Sequence, residues 1–196
     1  MNRLALNLKD CKEDRGQASG VLNGEMRLWD IIWKANVPQK IRIFAWRVAT
    51  NSLAVQVNRI MHHQATLSTC SICGVEDENT FHALVKCPKA YALRMAMRDI
   101  WDLPGEEFFK HPESDWFLIL LDQLNATLCD QIIFIFWRAW HLRNDLIFGT
   151  GKELVSASAN FVENYWSSFV ASQSCPEVDS KNKGKGLLSG LKIVPN

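Results

Sequence analysis

The sequence has no long apolar run and no secretory signal. Its longest apolar stretches, residues 116–121 and 132–137, are far shorter than the roughly 20 residues that a helix needs to span a bilayer. Charged residues follow residues 1–8 at once, so the apolar segment of a secretory signal is missing too. We therefore expect an intracellular protein, nuclear or cytoplasmic, that has no membrane partner.

Motifs that carry catalysis are missing as well. The chain contains no glycine-rich phosphate loop, no Gly-x-Ser-x-Gly elbow and no His-Glu-x-x-His pair. Glu76, Asp77 and Glu78 form an acidic cluster, but such a cluster is more typical of a solvated turn than of a general base. We therefore expect no catalytic residue, no small-molecule substrate and no enzymatic activity.

Acidic residues are absent between Ile31 and Val75, although the whole chain is nearly neutral, with a formal net charge of +1. The basic residues of this acid-free stretch are Lys34, Lys40, Arg42, Arg47 and Arg59. Such cations could bind phosphates, and Trp33 or Trp46 could stack on unpaired bases. The same pattern is compatible with an ordinary solvated face and a buried Trp46. The sequence leaves both interpretations open.

Three of the six cysteines lie beside a histidine within 18 residues. The spacing is Cys-x2-Cys-x8-His-x4-Cys, formed by Cys70, Cys73, His82 and Cys87. Thiolates and one imidazole are donors that tetrahedral zinc takes, and Gly74 allows a tight turn after the second thiolate. Because all four positions are protein ligands, the ion would form a structural zinc knuckle and would not be catalytic. One alternative is three buried free thiols and a core histidine. In another, His62 or His63 replaces one ligand, although these two fit the spacing less well.

The rest of the sequence is that of a globular, helical protein. Of its 196 residues, 47% are hydrophobic and 22% are charged, which suffices for the core of one domain. Apolar residues recur at helical spacing, and no run alternates as a strand would. This periodicity predicts helices over residues 38–50, 53–63, 80–85, 89–101, 126–148 and 153–170. We expect a mainly α-helical single domain organised around the zinc knuckle, with disordered termini.

A specific set of short segments surrounds the cysteines. They are WKANVPQKIRIFAWR at residues 33–47, CSICG at 70–74, TFHAL at 80–84 and Cys87-Pro88. Together they resemble the zinc-binding domain found near the reverse transcriptase of plant LINE-type, non-LTR retrotransposons. A connecting stretch of such elements is similar to WHLRNDLIF at residues 140–148. The resemblance implies that the cysteines and the histidine of the spacing bind zinc.

In such retroelements the domain follows a polymerase and precedes a ribonuclease H domain. Only 69 residues precede Cys70 here, and the chain ends where a ribonuclease H domain would begin. We therefore expect an isolated retroelement fragment without either activity. The expected segments are a flexible 1–27, a zinc-binding helical domain over 28–103, a helical extension over 104–170 that resembles the linker before ribonuclease H, and a disordered tail over 171–196.

The resemblance also implies a role in holding template or element RNA. The expected function is a non-catalytic, retroelement-derived zinc module that binds RNA or single-stranded nucleic acid weakly. The expected contacts are Lys34, Lys40, Arg42, Trp46, Arg47 and Arg59. The alternative is a zinc-stabilised protein-interaction module that the host has co-opted to bind or regulate another protein. The candidates for its exposed surface are Trp116, Phe117, Phe134, Phe136 and Trp137, although most of them could instead be core residues.

Overall fold

The computed structural model describes residues 29–110, 112, 114–149 and 151–174. The predicted flexible segment 1–27 lies outside these residues, and so does the predicted tail from residue 175 onward. Residues 171–174, which we assigned to the tail, instead complete the last helix, Val155–Ser174. Among the described residues, no helix combines the length and the apolar character needed to cross a membrane.

The described part of the chain is helical, as the periodicity predicts. Its α-helices are α1 over residues 29–34, α2 Gln39–Ala49, α3 Gln56–Met61, α4 Pro88–Arg98, α5 Trp116–Asp122, α6 Ala126–Phe148 and α7 Val155–Ser174. A π-helical turn, His82–Lys86, precedes α4, and a 3-10 turn, Glu106–Phe109, follows it. Extended pairing within the described residues is limited to one antiparallel bridge between Thr69 and Asp77. The prediction of a mainly α fold is confirmed.

Helix α6 is the central element of the core. Its 23 residues match the predicted range 126–148, and the Asn125 side chain caps its start by accepting a hydrogen bond from the Leu128 N–H over 3.0 Å. Residues 132–137 are buried on every side of this helix. It packs against α2, α4, α7 and the π-helical turn. A helix that is apolar all round needs neighbours on all sides, which explains why the other elements gather around it.

Helix α4 connects the two halves of the sequence. It packs against α6 and α7, and Leu93 and Met97 are fully buried along its inner face. Just beyond its end, the indole N–H of Trp101 donates to Glu163 Oε2 of α7 over 2.6 Å. The described residues on both sides of residue 103 therefore share one hydrophobic core and form a single helical domain. A division of the sequence at residue 103 stays a prediction.

The aromatic residues that we considered for an exposed surface lie in this core. They are Trp116, Phe117, Phe134, Phe136 and Trp137, and their exposed fractions are 7% or less. Trp116 packs edge-on against Phe81 and Phe136, with ring centroids 5.2 and 5.7 Å apart. Phe134 packs edge-on against Tyr165 of α7. The expectation that these rings form a docking surface is wrong, because neighbouring helices cover them.

Asp130 is a buried carboxylate near the start of α6. It is 7% exposed, and its Oδ1 accepts a hydrogen bond from the Asn36 N–H over 2.9 Å. Burial raises its pKa to about 6, because this bond and the nearby Arg42 charge replace only part of the lost hydration. Between pH 3.8, the ordinary pKa of an aspartate, and pH about 6, Asp130 is ionised in the unfolded chain but still protonated in the folded protein. The stability contributed by this proton is therefore complete below pH 3.8 and is lost as the pH rises through about 6.

Asp130→Asn is expected to remove this pH dependence. The amide keeps an oxygen for the Asn36 N–H but carries no charge to desolvate. The variant should therefore match the wild type near pH 4 and exceed its free energy of unfolding near pH 8, by on the order of 2–3 kcal/mol. Urea unfolding followed by circular dichroism at both pH values measures the difference. If the variant and the wild type differed in free energy of unfolding by the same amount at both pH values, the pH dependence would not come from Asp130.

Candidate metal centre

The first two cysteines lie on a tight turn over residues 70–76, here called the knuckle turn. The Gly74 N–H donates to Cys70 O over 2.8 Å, and the Cys70 N–H donates to Glu76 O over 2.8 Å. Gly74 has a φ of +68°, a left-handed conformation in which a side chain would be strained. The glycine thus permits the tight turn that the sequence predicts, and the turn places Cys70 and Cys73 next to each other.

The other two ligand candidates lie at the two ends of a π-helical turn. At its start, the Asn79 side chain accepts a hydrogen bond from the His82 N–H over 2.7 Å. At its end, the Cys87 N–H donates to His82 O over 2.8 Å. This bond spans one residue more than in an α-helix, so the backbone of Cys87 lies beside the carbonyl of His82. Pro88, which has no N–H, then begins α4.

Three candidate ligand atoms converge within the described residues. One atom each from Cys70, Cys73 and His82 lie within 4.8 Å of one another. Cys73 Sγ is 3.4 Å from His82 Nε2, and Cys70 Sγ is 3.9 Å from Cys87 Sγ. Ligand atoms about 2.0–2.3 Å from a tetrahedral zinc ion lie about 3.3–3.8 Å apart. The donor chemistry and these separations therefore fit zinc.

The pKa values of the thiols differ with their surroundings. Burial raises the pKa of Cys70, and burial together with the neighbouring thiols raises the pKa of Cys87 to about 12. Hydrogen bonds from the backbone N–H groups of Glu76 and Val75 lower the pKa of the less buried Cys73. A divalent cation displaces the protons of its thiol ligands, so metal binding at this cluster would release protons.

Comparison with known proteins agrees with this geometry. Residues 17–93 match the protein family described as zinc-binding in reverse transcriptase. The match covers less than half of the 196 residues, and it includes Cys70, Cys73, His82 and Cys87. The chain is also 27% identical over 128 residues to a protein of Arabidopsis thaliana named "Putative ribonuclease H protein".

That second match is partial in both directions. It covers 62% of this chain and 20% of the Arabidopsis protein, so the chain spans about one fifth of the length of this relative. No solved structure matches the chain. The two matches confirm the resemblance to the retroelement zinc-binding domain that residues 33–47 and 70–88 indicate.

Glu76 contacts the histidine of the candidate metal centre. Glu76 Oε2 lies 3.1 Å from His82 Nδ1, while the other ring nitrogen, Nε2, faces Cys73. A carboxylate beside Nδ1 favours the tautomer with its proton there, which leaves Nε2 free to bind a metal. We expected Glu76 in a solvated turn, and the side chain is half exposed, but it also has this specific partner.

The sequence did not reveal the contacts of Glu78 beside the candidate metal centre. The expectation of a solvated turn is wrong here, because Glu78 and Arg143 of α6 are 0% and 2% exposed and form a two-point ion pair. Arg143 Nε and Nη2 donate to Glu78 Oε1 and Oε2 over 3.0 and 2.6 Å. Glu78 Oε2 also accepts from the Gln56 N–H over 3.0 Å, and Oε1 lies 3.9 Å from Cys70 Sγ. One carboxylate thus connects the knuckle turn, α3 and α6.

The lysines of the acid-free stretch have partners within the protein. The Lys34 ammonium lies 2.6 Å from a carboxylate oxygen of Asp30, one helical turn earlier. The Lys40 ammonium lies 5.0 Å from the ring centroid of Trp137 and 4.8 Å from that of Tyr165. Both lysines are exposed, so these contacts are weak and leave each ammonium accessible to a phosphate.

Two arginines of the same stretch are partly used by the fold. Arg42 Nη2 donates to Ala35 O over 2.8 Å, so this side chain fastens the backbone before α2. Arg59 donates to Gln56 Oε1 and to Gln64 O, both over 3.3 Å. Substitution of Arg42 would therefore disturb the fold as well as the charge.

Trp46 and Arg47 lie side by side on the exposed face of α2. Trp46 is 40% exposed, so the interpretation that it is buried is wrong. Arg47 is exposed, and its side chain has no partner among the described residues. Trp33 is also exposed, by 48%, at the end of α1. These side chains are accessible to a partner. Their spacing in the sequence does not by itself reveal that they are exposed.

Proposed function

We propose that the protein is a non-catalytic, zinc-stabilised module that binds single-stranded RNA weakly through the exposed face of α2. The observation that carries the proposal is an exposed aromatic ring, Trp46, beside an exposed cation, Arg47, in a stretch without acidic residues. Aromatic rings stack on unpaired bases, and arginines bind the phosphates between them. Neither contact depends on the identity of the base, so we expect little sequence preference.

Zinc has a structural role in this proposal. The ligands would be Cys70, Cys73, His82 and Cys87, since two of their separations fit a tetrahedral site and the matching family binds zinc. Four protein donors leave no open position for water, so the ion would contribute folding energy and no chemistry. The activity in the name of the Arabidopsis relative is not part of the proposal, because the match covers 20% of that protein.

A host protein is the second candidate partner. The apolar side chains of Trp33, Ile43 and Trp46 are exposed within the same acid-free stretch, and such a surface can also dock a protein. The dependence of the affinity on salt concentration distinguishes RNA binding from protein binding. Phosphate binding releases counterions and weakens as salt rises, whereas apolar docking barely responds.

Trp46→Ala is expected to weaken RNA binding by about 1–3 kcal/mol, the usual loss when one base–aromatic stack is removed. Arg47→Gln is expected to reduce the slope of log affinity against log salt by about 0.7, the value for one phosphate contact in a single strand. Fluorescence anisotropy of a labelled oligouridylate over a series of KCl concentrations measures both effects.

Lys152→Gln is the matched control, because Lys152 is exposed and lies outside the acid-free stretch. It should bind the oligouridylate as the wild type does. The zinc content of each variant shows whether the metal centre is intact. A wild-type protein that does not bind at low salt, or that binds without salt dependence, would refute RNA binding and favour the protein partner.

A further inference from the structure

A polar cleft lies between α3 and the knuckle turn. Its volume is about 450 Å³, within the range of ligand-binding clefts. The lining residues all lie between Gln56 and Gly74, so the acid-free stretch supplies every one of them. A smaller cleft of about 140 Å³ adjoins it, because Arg59 and Gln64 line both. The smaller cleft extends to Asn51, just after α2.

Neutral hydrogen-bonding side chains form about half of the lining of the larger cleft, beside small or apolar residues such as Ala65 and Leu67. The hydrogen-bonding side chains belong to Gln56, Gln64, Thr66, Thr69 and Ser71. The Gln56 amide nitrogen donates to Ser71 Oγ over 3.2 Å, which fixes one wall. Amides and hydroxyls both donate and accept hydrogen bonds, so they suit sugar hydroxyls and base edges.

Arg59 carries the only charge among the described residues that line this cleft. Its guanidinium has five N–H donors, and the bonds to Gln56 Oε1 and Gln64 O use two of them. These bonds hold the side chain in place while the other donors remain for a ligand. A fixed guanidinium with free donors is suited to a phosphate.

The acidic residues that follow the cleft in the sequence, Glu76, Asp77 and Glu78, are not among its lining residues. Glu78 is also neutralised by its buried ion pair with Arg143. Arg59 therefore sets the sign of the charge in the cleft, and an anionic ligand is favoured.

An aromatic ring lies beside Arg59. The guanidinium carbon of Arg59 is 5.9 Å from the ring centroid of Phe148, the last residue of α6. This ring is 67% exposed, so most of its surface is available to a ligand. Its position suits a base whose phosphate is bound by Arg59.

We infer that this cleft holds one nucleotide of a single-stranded RNA, with the phosphate on Arg59 and the base against Phe148. The inference rests on the proposed function and adds a second contact to the one at Trp46 and Arg47. The smaller cleft runs from the larger one to Asn51, two residues beyond the end of the helix that carries Trp46 and Arg47. The neutral side chains of the cleft can hydrogen-bond to any base, so they give no sequence preference. The affinity comes from Arg59 and from the ring of Phe148.

Phe148→Ala and Arg59→Gln test the inference by anisotropy of the labelled oligouridylate. Phe148→Ala should bind about fivefold or more weakly, and Phe148→Tyr should bind as the wild type does, because tyrosine also stacks. Arg59→Gln should reduce the salt slope by about 0.7. Phe161→Ala is the control, because Phe161 is an exposed aromatic residue of α7 whose ring lies beside Arg138 and not beside Arg59.

A 4-thiouridine in the same RNA locates the contact by photochemical cross-linking and peptide mass spectrometry. Cross-links to Phe148 or to residues 56–74 are expected. If the wild type binds but cross-links only on α2, and both cleft variants keep full affinity, the cleft is refuted while RNA binding at α2 stands. If the wild type does not bind the RNA at all, the proposed function fails and the cleft inference fails with it.

Discussion

Cys73→Ser and Cys87→Ser are expected to lose their zinc and to unfold. Structural zinc sites contribute apparent binding free energies of about 10–16 kcal/mol, which rivals the net stability of about 5–15 kcal/mol of a whole domain. Cys87 is buried with its sulfur 3.9 Å from that of Cys70, so serine there removes a ligand and leaves a hydroxyl in the core. Metal analysis should find one zinc per chain in the wild type and none in either variant.

Cys129→Ser is the matched control for the loss of a buried thiol. Cys129 is also buried, but its thiol donates to Leu121 O over 3.1 Å, and it is not part of the metal cluster. This variant should keep its zinc and its helical circular dichroism spectrum. A Cys87→Ser protein that retains one tightly bound zinc would contradict the four-ligand site and restrict it to the other three residues.

Glu78→Ala is expected to lower the free energy of unfolding by about 3–5 kcal/mol, because the Arg143 guanidinium stays buried without its partner. The Gln56 N–H also loses its acceptor in this variant. Replacement of both charges, as in Glu78→Leu with Arg143→Met, removes the desolvation cost and should recover much of the loss. Urea unfolding of the single and double variants at saturating zinc gives the coupling energy.

The exposed pair of Lys34 and Asp30 provides the comparison for the buried one. Solvent screens both charges, so Asp30→Ala should change the free energy of unfolding by only about 0–1 kcal/mol. If Glu78→Ala lowers the free energy of unfolding as little as Asp30→Ala does, the buried ion pair does not hold α6 to the knuckle turn.

Local patterns were sufficient for most of the helices. The bounds of α6 are predicted to the residue, because its apolar stretch is framed by the capping Asn125 and by Gly149. Helix α2 is predicted to within one residue at each end, since its buried positions Ile41, Phe44 and Val48 recur at helical spacing. The metal cluster is local as well, because two short turns within 18 residues bring its side chains together.

Contacts between distant parts of the chain were beyond this kind of prediction. Glu78 and Arg143 are 65 residues apart, and Glu78 is adjacent to two exposed acids that look the same in the sequence. The available signal was Arg143 itself, because an arginine beside the apolar Leu142 of a core helix needs a partner. The sequence could not name that partner. Exposure of Trp46 likewise depends on which face of α2 packs against α6.

Helix α4 crosses the point at which the family match ends, residue 93. Leu93 and Met97 are both fully buried, and they are covered by helices that begin beyond the match. The stretch that matches the family is thus shorter than the unit that folds. If the segment with the knuckle turn were transferred to another protein, the inner face of α4 would be exposed. The segment would fold there only if α6 and α7 were transferred with it, or if the other protein buried that face with helices of its own.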